Sequence, residues 1–220
     1  MKLSRSLIAE YGAAIGISIV LAVIIRVFLV EAFKVPTSVM RPSLLPGDYI
    51  FASKISYGVK IPFSREYFFH GAEPEYGDVV IYESSAERDN LIKRVVGLPG
   101  DEIELRKGHL VFNKTEPKFE PGKSPSCGHE LHPKFGFNIC LDSPLPPEVA
   151  TVKVPEKYVY VLADYRTQAS IRKKVGELIP MTAIKAKALF IWLSVTPKTE
   201  TDGVSFFPQI RFDRLLTGVN

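Results

Sequence analysis

The pattern of hydrophobic and polar positions divides the chain into one long apolar run and a succession of short ones. Residues 11–30, YGAAIGISIVLAVIIRVFLV, carry a single charge, Arg26. An α-helix needs roughly 20 apolar residues to cross a hydrocarbon core, and it satisfies its own backbone hydrogen bonds while doing so. The run therefore predicts a transmembrane helix over residues 11–30, with Arg26 near the far end, where its stem can reach the head groups. Lys2 and Arg5 precede the run and Glu31 follows it, which predicts residues 1–10 in the cytoplasm and the rest of the chain outside the inner membrane. The run is long for the apolar centre of a cleavable leader, and no A-x-A-like site follows Val30, so a retained anchor is expected.

Past the anchor the apolar runs are short and punctuated. In residues 33–45, FKVPTSVMRPSLL, Pro36 and Pro42 exclude a regular helix and predict an extended stretch close to the membrane surface. Three Gly-Asp pairs then each precede a strand-like run: Gly47-Asp48 before YIFASKIS, Gly77-Asp78 before VVIYES and Gly100-Asp101 before EIEL. Turn residues launching apolar runs at intervals are an all-β signal. Residues 102–105 and 109–112 alternate on either side of Arg106-Lys107-Gly108 and predict a β-hairpin. Residues 158–162 and 186–193 are further strand candidates. The expected fold is mainly β, an antiparallel sheet domain behind one N-terminal transmembrane helix. Its core spans residues 31–112 and 156–220, and residues 113–155, rich in Pro, Gly, Ser and Lys, form an inserted loop-rich subdomain. Residues 200–218 are polar and aromatic and suggest no function.

Composition narrows the partners. With 46% hydrophobic and 24% charged residues among 220, the chain lies in the ordinary globular range, which excludes wholesale disorder. The net charge of +4 is mild and its Lys and Arg are scattered, so nucleic acid is dropped as a partner. Two cysteines, Cys127 and Cys140, would lie in an oxidising compartment and are expected to form a disulfide. His129 and His132 complete a Cys-x-His-x-x-His arrangement, which keeps open a zinc-holding alternative although the spacing matches no common zinc framework.

One strand candidate carries chemistry. In LIKRVVG, residues 91–97, period two places Lys93 on the face of Leu91 and Val95 and Arg94 on the face of Ile92 and Val96. An ammonium that loses its hydration among apolar side chains is left partly neutral near pH 7 and can take a proton as a general base; the alternative is a lysine that edges the sheet and snorkels. Leu98-Pro99-Gly100-Asp101 has Pro and Gly at the two central positions of a type II turn, which ends the lysine strand.

These segments resemble the type I signal peptidase family from the anchor to about Ser194. FKVPTSVMRPSLLPGDYI resembles the segment that follows that family's anchor, written P-S-x-S-M-x-P-T-L with a Gly-Asp beyond it. EYGDVVIY is similar to its next strand, IKRVVGLPGD to the strand bearing its general-base lysine, and LADYRTQASIR to its fourth segment, G-D-N-R-D-N-S-x-D-S-R. The resemblance implies a mainly antiparallel β domain tethered to the membrane that cleaves signal peptides from exported preproteins with a Ser/Lys dyad and no cofactor, its partners being the bilayer and those peptides. It implies Lys93 as general base, Thr37 and the backbone N–H of Val39 as oxyanion donors, and Phe33, Val35, Pro36, Leu44 and Ile92 as pocket residues for small substrate side chains. Asp164 and Arg166 become the supporting polar frame. Aligning Pro36, Met40, Pro42 and Leu44 without a gap, however, puts the nucleophilic serine at Val39, and the serine that supports the lysine falls at Ala169. Ser38, one position early, is the substitute nucleophile, but a one-residue change in extended chain turns a side chain to the opposite side. Three readings follow: a working leader peptidase, a silent relative that binds signal peptides or a partner peptidase, and a membrane-tethered domain whose Cys and His residues bind metal.

Overall fold

The structure, a computed structural model, describes residues 5–24, 30–60, 67–84, 89–124, 126–142, 148–167, 176–197 and 209–219. One helix, α1 (Arg5–Ile24), precedes β1 (Val30–Lys34), β2 (Asp48–Ser53), β3 (Gly58–Lys60), β4 (Tyr67–His70) and β5 (Val79–Glu83). Next come β6 (Asn90–Gly97), β7 (Glu102–Arg106), β8 (His109–Phe112), β9 (Lys118–Pro121), β10 (Cys127–Leu131) and β11 (Gly136–Leu141). β12 (Glu148–Lys153), β13 (Tyr158–Leu162), β14 (Tyr165–Arg166), β15 (Gly176–Pro180) and β16 (Ile184–Ser194) complete the strands.

The expected span and the helix differ at both ends. α1 begins at Arg5, inside the stretch read as a cytoplasmic N-terminus, and Val30 belongs to β1, where it pairs with Ser53. Residues 25–29 of the expected span lie outside the described residues. Among the described residues no helix is long and apolar enough to cross a membrane. Val30 extends the apolar run in sequence, but its backbone is committed to the β2 ladder, so apolarity alone misplaced the end of the helix.

The mainly β expectation holds. Seven strands form one sheet in the order β1-β2-β16-β5-β6-β13-β15, and every neighbouring pair is antiparallel. Strand period two sends Val79 and Ile81 of β5 to one face and Val80 and Tyr82 to the other, and all four are buried. The first face packs with Ile50, Ala52, Ala188 and Ile191, and is closed by Val35, Met40 and Leu44 from the Pro-broken segment. The second packs with Val95, Val159, Val161 and Ile179. A third cluster, built on Ile103, Leu110, Phe112, Phe137 and Ile139, binds in the smaller sheets β12-β7-β8 and β14-β11-β10-β9. β11 and β14 pair parallel over two residues, a departure from a wholly antiparallel arrangement.

The hairpin over residues 102–112 forms as expected, with Leu105 opposite Leu110, and Lys107 and Gly108 supplying the two positive φ angles, 51° and 83°, of a tight two-residue turn. Residues 113–155 differ from a loop-rich insertion, since β9, β10, β11 and β12 lie there and β12 pairs with β7. In β10 the inward positions are Gly128 and Glu130, so the alternation is real but not hydrophobic, and a hydrophobicity pattern cannot register it.

The three Gly-Asp pairs are one device used three times. In Leu45–Asp48, Glu75–Asp78 and Leu98–Asp101, the Asp N–H donates to the carbonyl three residues earlier (3.0, 3.2 and 3.1 Å). The Asp carboxylate accepts the N–H of that same residue at 2.7, 3.0 and 2.8 Å. The third residue is glycine each time because φ is near +90° (85°, 88° and 92°), a value that a Cβ disfavours. Each turn thus starts its strand with a buried carboxylate whose remaining valences are free to recruit distant side chains.

Candidate active site

All four segments singled out in the sequence meet at one point. Arg94 and Asp164 are fully buried and joined in bidentate geometry, Nε to Oδ1 at 2.9 Å and Nη2 to Oδ2 at 2.7 Å. Ser43 Oγ donates to Asp164 Oδ2 at 2.5 Å and accepts from Arg94 Nη2 at 3.0 Å, while Arg94 Nη1 donates to Gly77 O at 2.7 Å. One guanidinium therefore ties the Pro-broken segment, the second Gly-Asp turn, β6 and the chain after β13 together. A buried charge pair gains strength only when its remaining donors and acceptors are used, and here they are.

The Pro-broken segment is held in a definite register. Val35 N–H donates to Asp48 O at 2.8 Å, Gly47 N–H to Val35 O at 3.0 Å, and Leu44 N–H to Met40 O at 2.8 Å. Met40 and Leu44 are both 0% exposed, and burial of such side chains is worth about 1.5–3 kcal/mol each. Between them and Pro36, Thr37 is exposed, Ser38 half-buried and Val39 37% exposed. Tyr165 N–H donates to Val39 O at 3.0 Å and pins this bend to β14. Moving Ser38 into the place of Val39 would draw Met40 out of the core and break that bond. Phe33 and Ile92, half-buried, pack on the same apolar cluster as the fully buried Val35 and Leu44, whereas Pro36 is exposed.

Lys93 projects from the opposite face of β6, across from Val80 and in the cluster of Leu91 and Val95. It is nearly buried, and its Nζ lies 3.9 Å from Glu177 Oε1 on β15. Glu177 was not singled out in the sequence; only the β13–β15 register, with Val161 opposite Glu177, brings it to this face. Ala169 lies outside the described residues.

Arg166 faces a second buried carboxylate. Its Nη2 meets Glu130 Oε2 at 2.9 Å, Nη1 meets Oε1 at 3.3 Å, and Nη1 donates to Gly108 O at 2.6 Å. Glu130 also takes His109 Nδ1 at 3.0 Å and the backbone N–H of Leu110 at 3.1 Å, with His132 Nε2 3.5 Å away. Burial by itself would raise this carboxyl, but the Arg166 charge and the contacts of His109, His132 and Arg166 outweigh burial and hold it well below the usual carboxylate range. The ring of Phe137 lies beside both guanidinium groups, 5.2 Å from Arg94 Cζ and 5.7 Å from Arg166 Cζ.

Cys127 and Cys140, directly opposite in β10 and β11, are joined with an S–S distance of 2.01 Å. His129 Nδ1 instead meets Asn138 Oδ1 at 3.1 Å. Among the described residues no group of three or more His, Cys, Asp or Glu side chains is placed to hold a metal, and the disulfide removes two of the four donors on which the metal reading relied.

The end of the chain adds a clasp that the sequence did not suggest. Arg211 and Arg214 both reach the buried Asp48, at 3.2 and 2.7 Å, and donate to the carbonyls of Pro46 (2.7 Å) and Ser43 (2.9 Å). Ser194 Oγ donates to the same carboxylate at 2.6 Å.

A family model described as signal peptidase, peptidase S26, matches residues 8–193. The chain is 36% identical over 219 residues to signal peptidase I of Pseudomonas aeruginosa, covering 88% of this chain and 75% of that one. This chain belongs to the type I signal peptidase family. Signal peptidase I of Rickettsia felis is 32% identical over 215 residues, with 84% of this chain and 79% of that one covered. Signal peptidase I of Pseudomonas fluorescens is 29% identical over 217 residues, with 88% and 75% covered. As a type I signal peptidase relative, the chain assembles all four expected segments around Arg94 and Asp164, and carries valine at position 39. The Arg211 and Arg214 clasp lies beyond the stretch that the family model matches.

Proposed function

We propose that this chain binds the signal peptides of exported preproteins at a membrane surface and that the wild-type chain cleaves them weakly or not at all. Family membership supports the substrate class. The observation that carries the second half is the register of the bend, with Met40 and Leu44 buried and Val39 O bonded to Tyr165 N–H, because it leaves an isopropyl group where the family has its hydroxyl. A substrate strand extended along residues 33–36 would present small side chains to the half-buried apolar surface of Phe33 and Ile92, backed from below by the buried Val35 and Leu44, with Pro36 at its rim. Thr37 and the N–H of Val39 would face the scissile carbonyl as oxyanion donors. Lys93 is the general base of the family chemistry, in which the serine hydroxyl loses its proton to the amine as its oxygen attacks the carbonyl carbon. Asp164 holds β6, the strand of Lys93, through Arg94, and Arg166 fixes the following strand, β14, on Glu130. The apolar residues of α1, exposed at Ile15, Ile17 and Leu21, fit an anchor that leaves the N-terminus in the cytoplasm and the β domain outside.

The test uses full-length protein in detergent with a fluorogenic signal peptide. Saturable binding is expected, with turnover at or below detection. Cleavage that disappears in Ser38→Ala would show that Ser38 serves as nucleophile, and lack of binding to any signal peptide would remove the substrate class. In spheroplasts, protease added outside is expected to digest the chain from about residue 34 onward, following the positive flank of the apolar run; protection of the β domain would overturn the orientation.

A further inference from the structure

Resting on that reading, a second feature of the site bears on its silence. A lysine takes a proton from a hydroxyl only as the uncharged amine, and apolar burial favours that form whereas a nearby carboxylate favours the ammonium. Lys93 is nearly buried among Val80, Val95 and Val161, which taken alone would favour the amine. Glu177 Oε1 lies 3.9 Å from its Nζ, with only about a fifth of the Glu177 side chain exposed, so solvent screens the pair weakly. The Tyr82 hydroxyl, itself buried, donates to the same Oε1 and holds the carboxylate in place from β5.

The other titratable groups described on this face are engaged with one another. Tyr57 OH donates to Asp78 Oδ2 at 2.7 Å, and Lys187 Nζ meets Asp78 Oδ1 at 2.5 Å. Burial, reinforced by Asp78, pushes the Tyr57 hydroxyl up, so it stays protonated and adds no charge near Lys93. On β13, Tyr160 is likewise raised, by burial first and by Glu177, with Arg166 opposing. Glu177 is a described carboxylate that faces Lys93 at ion-pair range.

We propose that Glu177 is a positioning residue that holds Lys93 as a charged ammonium, so that the site is quieted twice, by the missing hydroxyl at Val39 and by a paired amine. Restoring the serine alone would then leave a base that works only at raised pH. The sign follows directly: taking away the opposite charge while keeping the burial lowers the pH at which Lys93 loses its proton.

The experiment titrates the ε-carbon resonance of Lys93 in full-length protein labelled with [ε-13C]lysine, identified by its loss in Lys93→Arg. In Glu177→Gln, which keeps the size of the side chain and an oxygen for Tyr82, the midpoint is expected to fall by about 1–3 pH units relative to wild type. An unchanged or higher midpoint overturns the proposal. Should Glu177→Gln not fold, Glu177→Asp draws the carboxylate back by one methylene and is expected to lower the midpoint by a smaller amount, and an unchanged midpoint there is equally decisive. A second arm compares the pH dependence of kcat/KM in Val39→Ser and in Val39→Ser with Glu177→Gln, where the acid limb moves down by the same interval. If Val39→Ser does not cleave, the reading of a repairable peptidase site fails, while the NMR arm still decides the role of Glu177.

Discussion

At a pH raised enough to uncharge Lys93, Val39→Ser is expected to give a measurable peptidase, with signal-peptide turnover rising roughly 10²–10⁴-fold over wild type. The bounds come from two opposing magnitudes. A nucleophile acting within an intact Ser-base unit is worth about 10⁶ in kcat, and a displacement near 1 Å from the productive geometry removes about 10². Here the new hydroxyl would arise from a bend whose neighbours Met40 and Leu44 are fully buried and whose carbonyl is bonded to Tyr165, so the backbone has little freedom to compensate. The supporting hydroxyl at Ala169 is still missing, which is why Val39→Ser with Ala169→Ser should gain further. Lys93→Ala in either background should abolish the gain, and a variant that cleaves equally well without Lys93 would sink the Ser/Lys interpretation. Folded variants that all fail to cleave would leave binding as the activity of the chain.

Glu130→Gln is expected to be strongly destabilising, costing about 3–5 kcal/mol, because it leaves the Arg166 guanidinium buried without its counter-charge. For a chain of this size that corresponds to a fall in Tm of very roughly 6–20 °C. Pairing Glu130→Leu with Arg166→Met should recover much of the loss, since it withdraws both charges together. The pH dependence has a definite sign. Folding holds the Glu130 carboxyl well below its ordinary value, so its contribution is fully present above about pH 4.3, the unfolded value, and is lost progressively as the pH falls from there toward the folded one. Thermal melts of wild type and Glu130→Gln between pH 7 and pH 3 should converge toward the acid end, and parallel curves would contradict the assignment.

Glu130 also marks the boundary of what the amino-acid order discloses. The hairpin of β7 and β8 was legible because apolar alternation and a Lys-Gly turn agree with each other, and the facing of Lys93 and Arg94 followed from period two alone. Thr37, Lys93 and Asp164 were legible as members of spaced motifs. Glu130, Glu177, Arg211 and Arg214 were not, because a charged residue reads as solvated until its partner is known. Their partners are fixed by pairing across sheets: Glu130 with Arg166 over 36 positions, Arg214 with Asp48 over 166. The helix boundary failed for a related reason, since hydrophobicity reports what a segment avoids and not which neighbour takes its backbone. The end of β1 at Lys34 and the bend that follows were visible only as broken by proline, and their register became apparent with the burial of Met40 and the Tyr165 bond.

The clasp on Asp48 has a consequence for the timing of biogenesis. A polypeptide leaves the ribosome from its N-terminal side, so residues 33–48 arrive well before the two arginines that neutralise Asp48 and hold the carbonyls of Pro46 and Ser43. Until then the carboxylate cannot be buried without an uncompensated charge, and the bend that carries Val39 remains unfinished. Chains stalled with residue 205 as their last are expected to be cut by added protease within residues 33–48, and chains extended through residue 219 to resist it; equal resistance in both would mean that the bend closes without the clasp. Recognition of a preprotein would thus be withheld until Arg211 and Arg214 of the recogniser had themselves been delivered.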